Sequence, residues 1–328
     1  MNKVAFILVC WNNKQLLPEC IKSIESQTYK HYDIYLIDNN SSDGSADFVA
    51  EKHPNVKLIR SQKNNGFAQG NNILIKLALQ DLEVGYLALI NTDARLSPNW
   101  TEKLVNVAKS VDKAACLQGL TLDYFDNAVV DSHHIYIAED LQATQYGYKT
   151  RAVTASLATC QVLGVNAAAA MVTRKFIEDQ PDQQLFDESF YMYLEDMDMA
   201  LRAIMTGWKN YFVGGAVAYH MGSASSNERS SSFALYYTAR NQPALLIKNL
   251  PLGIIIQATP AFLRNEYHFI MHLRENFSPD ILHAYLRGRI VGTFRAMLYL
   301  RKRRQLRTRR TIHPEFLWTL IKNKGWIQ

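Results

Sequence analysis

The sequence predicts an α/β fold on a mostly parallel sheet, followed by a helical, basic extension. Three observations predict it. Short apolar runs alternate with segments of helical spacing through the first third of the chain. Polar clusters fall where those runs end, at Trp11-Asn12-Asn13, Asp38-Asn39-Asn40 and Asn91-Thr92-Asp93. Charge is divided unevenly: residues 1–263 hold 22 Lys+Arg against 26 Asp+Glu, while 264–328 hold 14 against 4. The net charge of +6 therefore belongs to the tail. The expected division is an α/β domain over 1–245 and a C-terminal helical, basic extension over 246–328.

The elements follow in order. Val4–Cys10 is a continuous apolar run, as in parallel strands buried on both faces. Lys14–Ser26 has helical spacing through Leu17, Cys20, Ile21 and Ile24. Tyr32–Ile37 reads as a strand, Ser42–Lys52 as a helix capped by Ser42 or Asp43, and Val56–Ser61 as a strand. Asn71–Gln80 reads as a helix and Tyr86–Asn91 as a fourth strand. The stretch Leu96–Arg174 is less regular. Glu178–Ser189 reads as an acidic loop, Phe190–Thr206 as a helix, Tyr211–Tyr219 as a strand and Gly222–Ser232 as a Ser-rich loop. Helices follow from Ala234. In a parallel sheet the ligand crevice lies beyond the carboxyl ends of the strands, where the polar clusters fall.

Composition excludes several classes. With 48% hydrophobic and 20% charged residues, the chain is neither disordered nor a coiled coil. Its four cysteines, at 10, 20, 116 and 160, make no CxxC pair, which excludes a zinc knuckle and a disulfide scaffold and suits a reducing cytosol. The N-terminus reads as a strand rather than a signal peptide. The uncharged stretch Ala152–Thr173 carries too many polar residues to span a membrane. Asn249–Leu263 is too short and is broken by Pro251, Gly253 and Pro260.

Five features carry chemistry. Asp38, at a strand end, suits the ring N–H of uracil or thymine, or a ribose hydroxyl; a turn-forming loop is the plainer alternative. Asn64–Asn72 (NNGFAQGNN) has Gly66 and Gly70, which permit close backbone approach before a helix N-terminus that favours an anion. It is not a P-loop, because the Lys-Ser/Thr ending is missing. Asp93 projects past a strand and suits a hard divalent cation; a turn Asp is the alternative. Glu195, Asp196 and Asp198 put three carboxylates in four positions. They repel, so one with a raised pKa is a candidate general base, against the alternative of acids that complement a helix dipole. His220 closes the apolar strand and gains meaning if Asp93 lies opposite.

In their order these motifs resemble the GT-A-fold glycosyltransferases of family 2, in particular the bacterial rhamnosyltransferase-like branch. The resemblance runs from Val4 to Pro251 through Val9–Asn12, DNNSSDGS at 38–45, NNGFAQGNN at 64–72, NTDARL at 91–96, FDESFYMYLEDMDMALR at 186–202, GW at 207–208, His220 and SS at 225–226. It implies an inverting, metal-dependent transfer of a sugar, L-rhamnose from dTDP-rhamnose or a hexose from a UDP-sugar, to a hydroxyl of a surface glycan. Asn12, Asp38, Asn40, Gly66, Asn71, Asn91 and Asp93 would line the nucleotide-sugar site, with Asp38 on the pyrimidine and Asn91 near the ribose. Asp93 and His220 would hold Mg²⁺ or Mn²⁺. Asp196 would be the general base and Glu195 would orient it or the acceptor. The chain departs from the pattern at Asn91, where the DxD motif has an acid, and at Gly214-Gly215, where many relatives have Pro. Gly119–Val165, on the acceptor side, matches least.

Arg301–Arg310 holds seven basic residues in ten, beside apolar helices and Phe316, Trp318 and Trp326. This predicts an anionic membrane surface as partner, a peripheral location at the inner face of the cell membrane, and no nucleic acid; the alternative is that 281–300, which shows no clean amphipathic stripe, packs on the protein itself or on a protein partner. A membrane anchor also fits a lipid-linked acceptor. The competing reading is a non-catalytic nucleotide-sugar-binding or scaffold subunit, because Asn91 removes one charge from the metal site.

Overall fold

The structure is a computed structural model and describes residues 2–155, 157–222 and 231–327. Its first part alternates β1 (Lys3–Cys10), α1 (Leu17–Glu25), β2 (Tyr32–Asp38), α2 (Ser45–Lys52), β3 (Lys57–Arg60), α3 (Gly66–Ala78) and β4 (Val84–Ile90). Next come β5 (Ala94–Leu96), α4 (Trp100–Ser110), β6 (Ala114–Asp123), β7 (Val130–Ser132), β8 (His134–Ile137), β9 (Ala143–Tyr146), β10 (Cys160–Val162) and β11 (Ala169–Thr173). Then follow α5 (Arg174–Glu178), α6 (Glu195–Met205) and β12 (Lys209–His220). The helices α7 (Ser232–Asn249), α8 (Leu252–Asn276), α9 (Pro279–Ala296), α10 (Leu300–Arg309) and α11 (Pro314–Lys322) complete the chain.

The main sheet has the order β10–β12–β6–β11–β4–β1–β2–β3. Strands β3, β2, β1 and β4 run parallel, as do β6 and β12, while β11 is antiparallel to both β4 and β6. Alternate residues of β1 serve opposite faces. Phe6 and Leu8 pack with Cys20, Ile21 and Trp100 under α1 and α4. Ile7 packs with Leu74, Ile75 and Phe176 under α3 and α5. Burial on both faces is why the strand reads as one unbroken apolar run.

A third core joins α6 to the C-terminal helices through Leu201, Ile204, Leu245, Leu250, Leu306, Leu317 and Ile321. The expected boundary at 245/246 lies inside α7, and the helical region begins at Ser232. The chain end also returns to the sheet: Leu163 N–H donates to Gly325 O at 2.7 Å, and Ile327 N–H to Gln161 O at 3.2 Å.

Several expectations are corrected. The helix expected from Phe190 begins at Glu195, because Tyr191, Tyr193 and Leu194 have φ of 66°, 70° and 69°. The helix expected from Asn71 begins earlier, at Gly66. Gly253 and Pro260 do not break α8, which starts after Pro251 and runs through both. Pro260 and Ile256 are exposed, so the carbonyl that loses its partner faces water. Among the described residues no helix is long and apolar enough to cross a membrane. Of the aromatics assigned to a lipid surface, Trp326 packs instead on His133, His134 and Tyr146, and Trp318 packs on the third core; Phe316 stays exposed. Ser225 and Ser226, with most of the Ser-rich loop, lie outside the described residues.

Helices α7 and α9 approach closely at Gly288 and Gly292. A Cβ at Gly292 would lie 2.3 Å from Arg240 O, and one at Gly288 2.4 Å from Tyr236 O. Gly292→Ala should therefore force α9 off α7, at a cost of about 1–3 kcal/mol. Thermal unfolding of the variant should begin several degrees below wild type; an unchanged melting curve would mean that the helices part freely.

Candidate active site

The strand ends bring the sequence-identified residues to one edge of the sheet. Asp38 closes β2 and is 4% exposed. Its Oδ2 accepts from Ser41 N–H at 3.1 Å, while Oδ1 is buried without a partner. A buried carboxylate oxygen lacking a donor is costly unless a ligand supplies one, which suits a ring N–H or a sugar hydroxyl. Asn12, at φ 54°, ties this loop to β1: its Oδ1 accepts from Ser42 N–H at 2.8 Å and its N–H donates to Ser41 Oγ at 2.9 Å. Asn40 is exposed at the rim with φ 66°.

Gly66 and Asn71 turn out to face the protein itself. A Cβ at Gly66, where φ is +71°, would meet the Tyr191 ring at 2.5 Å. The first amides of α3 are already used, since Phe67 and Ala68 N–H both donate to Tyr191 O. The close approach that Gly66 permits is therefore to Tyr191, and the helix N-terminus is capped by a carbonyl rather than left open to an anion. Asn71 is buried and donates to Phe67 O at 2.9 Å, inside its own helix. The neighbour that does connect the loops is Asn39, whose Nδ2 donates to Gly66 O at 3.0 Å.

Asn91, Thr92 and Asp93 leave the end of β4 and face His220, the last residue of β12. Asp93 Oδ1 lies 3.4 Å from His220 Nε2, and Asn91 Nδ2 is 3.4 Å from the same nitrogen. On the other side His220 Nδ1 meets Asp131 Oδ2 at 3.0 Å. Burial works against a charged imidazole, but Asp93 and Asp131 outweigh it and raise His220 to about 10. A bulge in β12 sets this aim: its register against β6 shifts between Val213 and Val217, around Gly214-Gly215.

Among the described residues no group of three or more His, Cys, Asp and Glu is placed to hold a metal ion. Asp93 and His220 nonetheless offer one carboxylate oxygen and, once a cation displaces the proton on Nε2, one imidazole nitrogen. That set suits Mn²⁺ or Mg²⁺ when phosphate oxygens complete the shell. A carboxylate on the far nitrogen, here Asp131, is the usual support of a metal-binding His.

The three carboxylates of α6 have three different environments. Asp198 is fully buried; burial alone would raise its pKa, but Lys248 and Arg202 pull it below the usual carboxylate range. Lys248 Nζ reaches Asp198 Oδ1 at 2.8 Å and Asp187 Oδ2 at 2.7 Å, and Arg202 Nε reaches Asp198 Oδ2 at 2.9 Å. Glu195 has no such cation. Burial, and then the charge of Asp196, raise it well above its ordinary value, and its Oε2 has no partner. Asp196 is partly exposed. Burial raises it, backbone N–H groups of Met197 and Ala167 oppose the rise, and it settles at about 6. Neighbouring Ala168 O accepts from Asn91 N–H at 2.8 Å, so one short loop links Asp196 to the Asp93 corner.

The strained loop before α6 is held from α7. Asn241 Nδ2 lies 2.8–2.9 Å from the carbonyls of Phe190, Met192 and Tyr193. Arg240 Nη2 donates to Ser189 O at 2.8 Å and Phe190 O at 2.9 Å. Sequence reasoning missed Asp131, Asn39 and Asn241. Two signals were available: Asp131 is an acid at the end of the apolar Ala128-Val129-Val130, and Arg240-Asn241-Gln242 is a polar cluster in the helical region. A cavity of about 280 Å³ lies elsewhere, lined by Lys248, Asn249, Arg303, Arg307 and Arg310 among others, and it contains none of the sequence-identified site residues.

Comparison with known proteins identifies the family and the fold. The family model described as Glycosyl transferase family 2 matches residues 5–177, more than half of the chain. An N-acetylglucosaminyl-diphospho-decaprenol L-rhamnosyltransferase of Mycobacterium tuberculosis is 22% identical over 242 residues, 67% of this chain and 77% of that protein. A putative glycosyltransferase of Bacillus subtilis, EpsE, is 32% identical over 107 residues, 31% of this chain and 37% of its own. Among solved structures, GalNAc-T7 with UDP, GalNAc and Mn²⁺ aligns with TM-score 0.57 at 14% identity, over 76% of this chain; the chain spans 50% of that one. S. aureus TarS 1–349 in complex with UDP aligns with TM-score 0.54 at 14% identity, over 92% of this chain and 91% of that one. These likenesses show the GT-A fold.

Asn241→Ala removes the donor that fixes three carbonyls of the loop before α6. Each buried hydrogen bond lost costs about 0.5–1.5 kcal/mol. The variant should fold with a lowered melting temperature and turn over more slowly, with donor affinity nearly unchanged. Wild-type turnover would mean that the loop holds its shape alone.

Proposed function

We propose that this chain, which belongs to glycosyl transferase family 2, transfers a sugar from a pyrimidine nucleotide-sugar to a hydroxyl of a lipid-linked surface-glycan acceptor, with inversion and with a divalent cation. The observation that carries the reading is that two carboxylates suited to different tasks stand at one sheet edge. Asp38 Oδ1 is a buried acceptor without a donor, and Asp196 is a carboxylate poised near neutrality. The first fits the ring N–H that uracil and thymine carry. The second fits a base that is ionised at neutral pH and still basic enough to take a hydroxyl proton.

The relatives support the choice of substrates. The mycobacterial relative is named for L-rhamnose transfer to a decaprenol-linked sugar, and the two solved neighbours hold UDP. dTDP-L-rhamnose is therefore the first donor to try, and a UDP-hexose the second. Asp93 and His220 would hold Mn²⁺ or Mg²⁺, with Asp131 fixing the ring of His220; when bound, the cation offsets the charge that grows on the departing diphosphate. Asp196 accepts the proton of the acceptor hydroxyl as its oxygen attacks the anomeric carbon from the face opposite the leaving group. Glu195 beside it, raised well above its ordinary value by burial and then by the charge of Asp196, would orient Asp196 or the acceptor. The Asn91 amide, 3.4 Å from His220, would meet the ribose. Asn12 and Asn40 shape its rim.

Two measurements test the reading. Calorimetry with dTDP-, UDP- and GDP-sugars, with and without Mn²⁺, should show metal-dependent binding of a pyrimidine sugar. Asp93→Ala should abolish the metal dependence, and Asp38→Ala should erase the preference over GDP-sugars. Binding that ignores EDTA would remove the cation from the scheme. The second is the pH profile. Asp196 must be unprotonated to act, so kcat/KM should fall about tenfold per unit below pH ~6. Asp196→Asn should lose roughly 10²–10⁴ in kcat while still binding donor. Normal turnover by that variant would exclude Asp196 as the base.

A further inference from the structure

Helix α9 has two faces of opposite character. Tyr285, Gly288, Gly292 and Ala296 are buried, and both glycines fit against the α7 backbone. The opposite side carries Leu286, Ile290 and Phe294 at a spacing of four, continued by Met297, Leu298 and Leu300. Phe294 is 69% exposed and Leu298 71%. An apolar stripe this open is unusual on a protein that meets only water.

Charge around the stripe has one sign. From Ile281 to Pro314 there are ten Lys+Arg and no Asp or Glu. Some of these cations serve the fold: Arg289 pairs with Glu266, Lys302 with Asp187 and Arg309 with Asp179, while Arg303 donates to the carbonyls of Ile247 and Leu250. Arg287, Arg301, Arg304 and Arg307 are exposed. Arg287 and Arg301 flank the stripe, and Arg304 and Arg307 extend it along α10.

We propose that this outward face of α9, with the exposed arginines of α9 and α10, docks the protein on an anionic lipid bilayer, lying in the interface without crossing it. The two chemistries together select the occupant. Acyl chains take up the apolar stripe, and anionic headgroups meet the arginines. A second copy of the same face would set arginine against arginine, with Asp280 in the first turn as the one acid that α9 itself carries. A nucleic acid would leave Ile290, Phe294 and Leu298 in water. The basic run alone does not make the surface, because part of it is spent inside the fold; the apolar stripe supplies the rest. The proposal rests on the reading of a lipid-linked acceptor for its purpose, since docking would bring that acceptor's lipid to the enzyme.

The test is flotation of the full-length protein with vesicles of phosphatidylcholine alone or with 30% phosphatidylglycerol. Wild type should float with the anionic vesicles, more weakly at 0.5 M salt, and little with the neutral ones. Arg301→Gln with Arg304→Gln should lower partitioning roughly 25-fold, about fivefold for each surface cation removed. Phe294→Glu should also keep the protein in the bottom fraction, with circular dichroism confirming that both variants are folded. Equal binding to both vesicle types, or flotation that both variants retain, would overturn the proposal. So would a failure to float joined to a dimer that Phe294→Glu splits in sedimentation, which would assign the face to a second copy, or failure to float joined to salt-sensitive oligonucleotide binding. Flotation needs no turnover: vesicle binding without any sugar transfer would leave this surface standing and remove the proposed reaction, and transfer to a soluble acceptor without vesicle binding would do the reverse.

Discussion

Three acidic side chains in the first turn of a buried helix set the main constraint on this protein. They cannot all stay charged in a medium of low polarity without partners. Each meets the constraint differently. Asp198 is held below the usual carboxylate range by Lys248 and Arg202, Glu195 is pushed well above it by burial and the charge of Asp196, and Asp196 stays partly exposed. The cation that fixes this division comes from α7, outside the α/β domain. Removing one partner of a buried pair leaves the other charge uncompensated, typically at 3–5 kcal/mol. The C-terminal helices thus hold one acid of the cluster ionised, since Lys248 is among the cations that keep Asp198 below the usual carboxylate range.

The same helix governs the geometry. Tyr191, Tyr193 and Leu194 hold positive φ without being glycine, a conformation that costs on the order of 1–3 kcal/mol per residue and persists only where the surroundings enforce it. Asn241 and Arg240 enforce it from one side, and the first amides of α3 enforce it from the other by donating to Tyr191 O. Gly66, pressed against the Tyr191 ring, is bonded in turn to Asn39, next to Asp38. One chain of contacts therefore runs from the group suited to the nucleotide base to the turn that carries Asp196. The left-handed turn points the start of α6 into the crevice, where a helix continued from Phe190 would have carried those acids along a different line.

Much of this was legible in the sequence, for reasons that particular residues make plain. The first four strands and their helices could be read because each strand is buried on both faces and each polar cluster stops a strand at the same sheet edge. Asp38, Asp93, Asp196 and His220 could be named because a charged or titratable residue just past an apolar run has few structural uses. Other features had no local signature. Nothing in Phe190–Leu194 announces positive φ, because the conformation is imposed by Asn241, about fifty positions away. Gly66 signals close approach but not to what, and its partner is Tyr191 rather than a phosphate. Pro260 was over-read as a breaker, because the rule applies to buried carbonyls and this one faces solvent. Asp131 was lost in an irregular stretch whose strands are only three or four residues long.

The C-terminal region departs most from the reading of a basic appendage. Its cations are divided: Lys302, Arg303 and Arg309 bind the body, while Arg301, Arg304 and Arg307 face outward. Its helices are layered in the same sense. Helix α7 holds the turn before Asp196 on its inner side, and on its outer side it receives α9 at a backbone separation that only glycine allows at 288 and 292. Two glycines in place of larger side chains mean that α9 cannot shift along α7 without a backbone clash, so the pair behaves as a rigid block. Whatever anchors the outward face of α9 is then connected to the turn bearing Asp196 through one helix, without an intervening flexible segment. A docking surface so joined would fix the orientation of the crevice as well as its location, which is what an acceptor confined to a plane requires.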